Sequence, residues 1–212
     1  MAAHIEMSSD PEFGQTVRRI FSEYAVEEII ETGTYLGTGS TGIFAGTGVP
    51  VITIECNPVI FQKARENLKD YVNVRQLNGF SLSRAEMIRF IKEDDIYDNN
   101  PGLKYEGADN PKLFYFREID HQVQENLLPP LIRNTKCQLI FLDSAGGTGF
   151  AEYKRVIRMP KHYLSRKLLM MDDVDHVKHY RSAQDLIARG YNFHYSSSGR
   201  WGWADLSANA DK

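Results

Sequence analysis

Short apolar stretches alternate along the chain with longer segments of helical period. Val26 to Gly33 predicts a strand that runs into a glycine-rich turn at Gly33, Gly37, Gly39 and Gly42, with a helix beginning near Ser40. Val51 to Cys56 alternates β-branched residues. Asn57-Pro58 then stops that strand and opens a helix through Asp70, Pro58 suiting its first turn. Asn73 to Leu77 predicts a third strand, followed by a helix to about Lys92 that Ser81 or Ser83 can cap. Cys137 to Leu142 and Lys167 to Met171 are nearly continuous apolar runs, as expected of strands buried on both faces. They end in Asp143 and in Asp172-Asp173. Phe150 to Leu164 predicts the intervening helix, and Arg181 to Arg189 another that Gly190 terminates. Tyr191 to Ser197 and Trp201 to Leu206 flank Ser198-Gly199-Arg200 and predict a terminal antiparallel hairpin, with Trp201 and Trp203 in the core.

This alternation predicts an α/β fold: a Rossmann-like, doubly wound, mostly parallel seven-stranded sheet with a C-terminal antiparallel hairpin. Between Glu93 and Pro130 the pattern breaks into acidic, asparagine, glycine and proline residues. That reads as an insertion or lid at about 93–130 bordering the site. Residues 1–13 are polar and patternless, and with Asp10-Pro11-Glu12-Phe13 they read as a disordered N-terminus or a cloning remnant, which leaves 14–212 as a single domain.

Composition narrows the function classes. The 212 residues are 42% apolar and 25% charged, enough to bury one sizeable core. A net charge of -3 without any basic block gives no field for phosphate backbones, so nucleic acid is not expected as a partner. Cys56 and Cys137 make no disulfide framework, which fits a reducing compartment. No apolar run approaches the ~20 residues of a membrane span and no signal peptide is visible, so a cytoplasmic location is expected.

In such sheets ligands bind at the carboxyl ends of the strands, near the point where strand order reverses. That directs attention to Glu31 to Gly39, Glu55, Asn78 to Ser81, Asp143 to Gly147 and Asp172 to His179. A glycine-rich turn lets backbone approach a ligand closely, and the helix behind it offers free amides. The turn lacks the G-x-G-x-x-G dinucleotide fingerprint at Gly33; Gly37-x-Gly39-x-x-Gly42 matches it only formally, too far past the strand. Glu55 lies 24 residues after Glu31, close to the ~20-residue offset of an acid that accepts two ribose hydroxyls.

The ordered set Glu31-Thr32-Gly33-Thr34-Tyr35-Leu36-Gly37, Thr53-Ile54-Glu55, Leu139 to Asp143 and Leu168 to Tyr180 resembles the class I S-adenosylmethionine-dependent methyltransferases, more narrowly the small O-methyltransferase-like group. The resemblance covers roughly Glu27 to Leu206. It implies S-adenosylmethionine as cofactor, bordered by Glu31, Thr32, Gly33, Thr34, Tyr35, Gly37, Ser40, Glu55, Asn78, Gly79, Phe80, Ser81 and Asp143. Glu31, Gly33 and Gly37 would meet the methionine portion, Glu55 the ribose, and Asn78, Phe80 and Ser81 the adenine. Asn78-Gly79 departs from the acidic residue common after the third strand of that family.

Asp143, Asp172 and Asp173 form an oxygen-only set that suits Mg²⁺ or Ca²⁺, although one of Asp172 and Asp173 should point away from the other on a strand. Alternatively Asp143 only orients substrate. His176 and His179 are candidate general bases at a spacing that would bring both to one face of a helical turn. The leading expectation is methyl transfer to a small-molecule acceptor, at a hydroxyl oxygen ahead of nitrogen. An NAD-dependent oxidoreductase and an inactive nucleoside-binding module are the alternatives. The hairpin with its two tryptophans is a surface through which a homodimer could form.

Overall fold

A computed structural model describes residues 7–98, 103, 111–144 and 148–207. Strands β1 (Ile29–Thr32), β2 (Val51–Glu55), β3 (Val74–Asn78), β4 (Leu139–Leu142), β5 (Leu168–Met171), β6 (Phe193–Tyr195) and β7 (Gly202–Asp205) form one sheet in the order β3-β2-β1-β4-β5-β7-β6. The first five pair in parallel, while β7 runs antiparallel to both β5 and β6. The predicted hairpin is therefore present, and its second strand is the one that joins the sheet.

The helices are α1 (Pro11–Glu23), α2 (Ser40–Ala45), α3 (Pro58–Asn67), α4 (Arg84–Glu93), α5 (Pro111–Glu118), α6 (Leu128–Asn134), α7 (Gly149–Ile157), α8 (Lys161–Leu164) and α9 (Tyr180–Ala188). Their starts follow local chemistry. The side chains of Asp10, Asn57 and Ser83 accept from the first free amides of α1, α3 and α4. The single helix expected over Phe150 to Leu164 is two, because Pro160 lacks an amide hydrogen and disfavours helical backbone at Met159.

Alternate strand residues point to opposite layers. On one face Ile29, Val51, Leu139, Phe141, Leu168 and Met170 pack with Phe13, Val17 and Ile20 of α1 and Phe44 of α2. On the other, Ile30, Ile52, Ile140, Leu142, Leu169 and Met171 pack with Tyr153 and Val156 of α7 and Leu186 of α9. Both faces are covered, which is why the central strands read as unbroken apolar runs.

One expectation is corrected here. Residues 7–13 are part of the fold: Phe13 is fully buried, with its ring 5.3 Å from that of Trp201 and 5.6 Å from that of Phe141. Trp201 Nε1 donates to Asp10 Oδ2 at 2.8 Å. Residues 1–6 lie outside the described set. Trp201 and Trp203 lie in the chain's own core, 1% and 5% exposed, as expected of them.

The region 93–130 carries more structure than its composition suggests. Residues 99–102 and 104–110 lie outside the description, but α5 places Tyr115 against Tyr97 at 5.4 Å between rings, within a third apolar cluster that includes Phe80, Phe90 and Ile91. Gln124 then forms an isolated parallel bridge with Gly79, just beyond β3. Among the described residues no helix is long and apolar enough to cross a membrane.

Candidate functional site

Strand order reverses between β1 and β4, and the residues singled out at strand ends converge there. Gly33 leaves β1 with φ +86°, and a Cβ on it would stand 2.1 Å from the Asp143 carbonyl oxygen. No larger residue fits, so the ends of β1 and β4 touch through their backbones. Its amide donates to Ile54 O at 2.9 Å, which holds the turn against β2 as well.

Glu31 is fully buried in a cage of hydroxyls. Ser40 and Thr41 donate to its two oxygens at 2.6 Å each, and Thr53 donates at 2.8 Å. Thr34 joins the cage through a 2.6 Å contact with Thr53. Burial raises the Glu31 pKa, opposed by these hydroxyls. The carboxylate thus ties the first turn of α2 to β2 and fixes the shape of the glycine-rich turn from behind. It is absent from the lining of the adjacent cleft.

Glu55 does line the cleft. Its oxygens accept from the amides of Tyr35 at 2.9 Å and Asn57 at 2.8 Å. Two backbone donors fix its orientation, and a carboxylate with about four acceptor positions keeps capacity for a ligand diol. Burial raises its pKa. Gly33, Gly79, Phe80 and Ser81 line the same cleft, joined by Glu118 and Ile119 from the end of α5. The cleft holds about 50 Å³, well under the ~300 Å³ of the smallest ligand pockets.

Asn78 turns its amide onto the Glu55 carbonyl at 2.8 Å and stands outside the lining. Ser81 hydrogen-bonds to Glu152, a residue the sequence reading passed over. Glu152 is fully buried on α7 and also accepts from Thr32 Oγ1 at 3.2 Å, linking the end of β1 to the loop after β3. A signal existed: Glu152 lies one turn before Val156 on the apolar face of an amphipathic helix, where an acid needs a partner.

At the ends of β4 and β5 one oxygen each of Asp143, Asp172 and Asp173 lies within 4.8 Å of the others. The expected divergence of Asp172 and Asp173 is overridden by a left-handed Asp173 (φ +53°), which leaves the strand and swings its carboxylate back. A cation of the chain itself joins them. Lys178 Nζ stands 2.8 Å from Asp143 and 2.7 Å from Asp173, and Arg200 grips Asp172 with two bonds at 2.7 and 3.0 Å. Burial works against the Lys178 ammonium, but Asp143 and Asp173 outweigh it and hold its pKa well above the ordinary lysine range.

His176 and His179 lie on the turn that leads into α9, with the amides of His179 and Tyr180 donating to the His176 carbonyl at 3.2 and 3.0 Å. His176 Nδ1 accepts the Lys178 amide at 3.1 Å. His179 is fully buried, with Nδ1 3.1 Å from the Ser182 hydroxyl, and burial pushes its pKa well below that of a free histidine. Neither histidine lines the cleft.

No protein-family profile matches the sequence, and no curated protein matches it either. Solved structures do. A Staphylococcus aureus protein provisionally assigned as a caffeoyl-CoA O-methyltransferase matches at 17% identity over 92% of this chain and 83% of its own, with a TM-score of 0.55. An O-methyltransferase from Bacillus cereus in complex with S-adenosylhomocysteine matches at 16% identity over 96% and 82%, with a TM-score of 0.52. The O-methyltransferase TomG from Streptomyces achromogenes, in complex with S-adenosylmethionine, matches at 14% over 92% and 78%, with a TM-score of 0.50. At such identities the likeness speaks for architecture, and the architecture of this chain is the class I S-adenosylmethionine-dependent methyltransferase fold.

Proposed function

We propose that this chain binds S-adenosylmethionine and transfers its methyl group to a small-molecule acceptor, at a hydroxyl oxygen. The observation that carries the reading is Glu55: a carboxylate fixed by two amides at the end of β2, lining a cleft beside the switch point of this fold. When bound, the cofactor supplies a methyl group activated by its sulfonium.

The chain's own residues would supply the rest. Glu55 accepts from the ribose hydroxyls, and Gly79 and Phe80 border the adenine. Gly33 and Gly37 bring backbone to the methionine portion, with Thr32, Thr34, Tyr35 and Ser40 shaping the turn around it. Glu31 acts as a positioning residue for that turn. Asp143 orients the acceptor, and Glu118 and Ile119 at the end of α5 border the cleft and help to exclude water. A cytoplasmic location belongs to the same proposal.

The rivals each have a discriminating feature. A nicotinamide enzyme is disfavoured by the missing fingerprint at the first turn and by the antiparallel β7. An inactive nucleoside-binding module is favoured by the narrow cleft and by histidines that do not face it. Calorimetry with S-adenosylhomocysteine and with NAD separates them. Micromolar binding of S-adenosylhomocysteine is expected, weakened at least ~10-fold in Glu55→Gln, because hydrogen bonds to a charged acceptor contribute about 1.5–3 kcal/mol. NAD binding instead sinks the reading. Cofactor binding with no turnover of any hydroxyl acceptor supports the inactive module.

A further inference from the structure

Oxygen ligands at the ends of β4 and β5 suggest a divalent metal, and the donor set was the reason to expect Mg²⁺. The geometry argues for a different occupant. The Lys178 ammonium already bridges Asp143 and Asp173 at 2.8 and 2.7 Å. The third carboxylate, Asp172, is only 2% exposed and is held bidentately by Arg200. The three carboxyl groups are thus met by two fixed cations of the chain, whereas a metal site needs carboxylate oxygens that are free to coordinate.

Lys178 is also held in place rather than merely able to reach. It is 4% exposed. Its stem runs past Gly149 at the start of α7, where a Cβ on the glycine would lie 2.5 Å from Lys178 Cγ. Its amide donates to His176 Nδ1 at 3.1 Å. A wandering surface lysine has none of these constraints. A Mg²⁺ ion bound at its usual ~2.1 Å to the same two oxygens would face a buried ammonium a few ångströms away, and the two positive charges would repel.

We propose that the Lys178 ammonium is the resident cation of this acidic centre, in the place of a divalent metal. Resting on the methyltransferase reading, it follows that cofactor binding and methyl transfer by this chain are independent of metal. Asp143 is then positioned for the acceptor by Lys178, and the acceptor is held without chelation.

Mn²⁺ is the probe, followed by electron paramagnetic resonance on the full chain after dialysis against EDTA. The wild type is expected to bind no Mn²⁺ up to about 1 mM, the weak end of natural divalent sites. Its thermal midpoint and its S-adenosylhomocysteine affinity are expected to be the same with EDTA or with Mg²⁺. In Lys178→Gln the three carboxylates keep only Arg200, and Mn²⁺ affinity should rise at least ~10-fold, accompanied by a Mn²⁺-dependent rise in thermal midpoint. One tightly bound Mn²⁺ in the wild type, lost in Asp173→Asn, overturns the proposal. So does a folded Lys178→Gln that gains no Mn²⁺ binding. Should that variant not fold, the wild-type titration decides alone. Absence of S-adenosylhomocysteine binding would count against the methyltransferase reading and leave the Mn²⁺ result standing.

Discussion

Gly33→Ala tests whether the meeting of β1 and β4 is as tight as the site requires, and Gly48→Ala is its internal control. Both glycines have left-handed backbone, φ +86° and +77°, but a Cβ on Gly48 meets nothing within 4 Å. The shared cost of placing an L-residue there is about 1–2 kcal/mol, offset by about 0.4–1 kcal/mol from a less flexible unfolded chain. Gly48→Ala should therefore lose about 1 kcal/mol. At Gly33 the new methyl would lie 2.1 Å from the Asp143 carbonyl oxygen and 2.6 Å from its carbon. Since close C···O contacts settle near ~3.3 Å, the end of β4 must retreat by about 1 Å. That strains the bonds from the Asp143 amide to Thr32 O at 3.1 Å and to Thr32 Oγ1 at 3.2 Å. The one Asp143 N–H that makes both bonds adds about 1–3 kcal/mol when left unsatisfied, for a total of about 2–4 kcal/mol. Urea unfolding followed by circular dichroism, with a slope of about 2 kcal/mol/M for a chain this size, should show a midpoint lower by about 1–2 M for Gly33→Ala and about 0.5 M for Gly48→Ala. If the two variants unfold within about 0.5 M of each other, the backbones of the two strand ends are not in contact at Gly33.

Phe13→Ala should cost about 3–5 kcal/mol in the same assay, because the ring is fully buried between Phe44, Phe141 and Trp201; a loss under about 1 kcal/mol would return residues 7–13 to the periphery. His179 is neutral when folded, since burial depresses its pKa, while an unfolded histidine titrates near ~6.5. Below that pH the unfolded chain takes up a proton that the native state refuses, so this residue lowers stability on acidification by up to ~1.4 kcal/mol per pH unit. His179→Asn should remove that component of the slope between about pH 5 and 6.5; stability curves that run parallel for the two proteins would contradict it.

Much of the fold was legible in the sequence because its causes are local or periodic. The central strands had to read as apolar runs once both faces were covered, and Asn57-Pro58 and Ser83 mark helix starts through bonds to amides two or three residues away. Glu55 was legible for the same reason: the end of a strand and the offset from the first turn are both countable along the chain. Roles that depend on distant contacts were not. Glu31 reads as a ligand-facing acid until α2 and β2 surround it with three hydroxyls. Glu152 meets Thr32 across 120 positions, and Asp10 meets Trp201 across 191. The acidic centre shows the division most clearly. The sequence determined that three carboxylates stand at the ends of β4 and β5, while the left-handed turn at Asp173 and the passage of Lys178 over Gly149 decided that a lysine nitrogen stands between two of them. A carboxylate's chemistry is written in its residue type, but its partner is set by which backbone segments the folded core allows to approach.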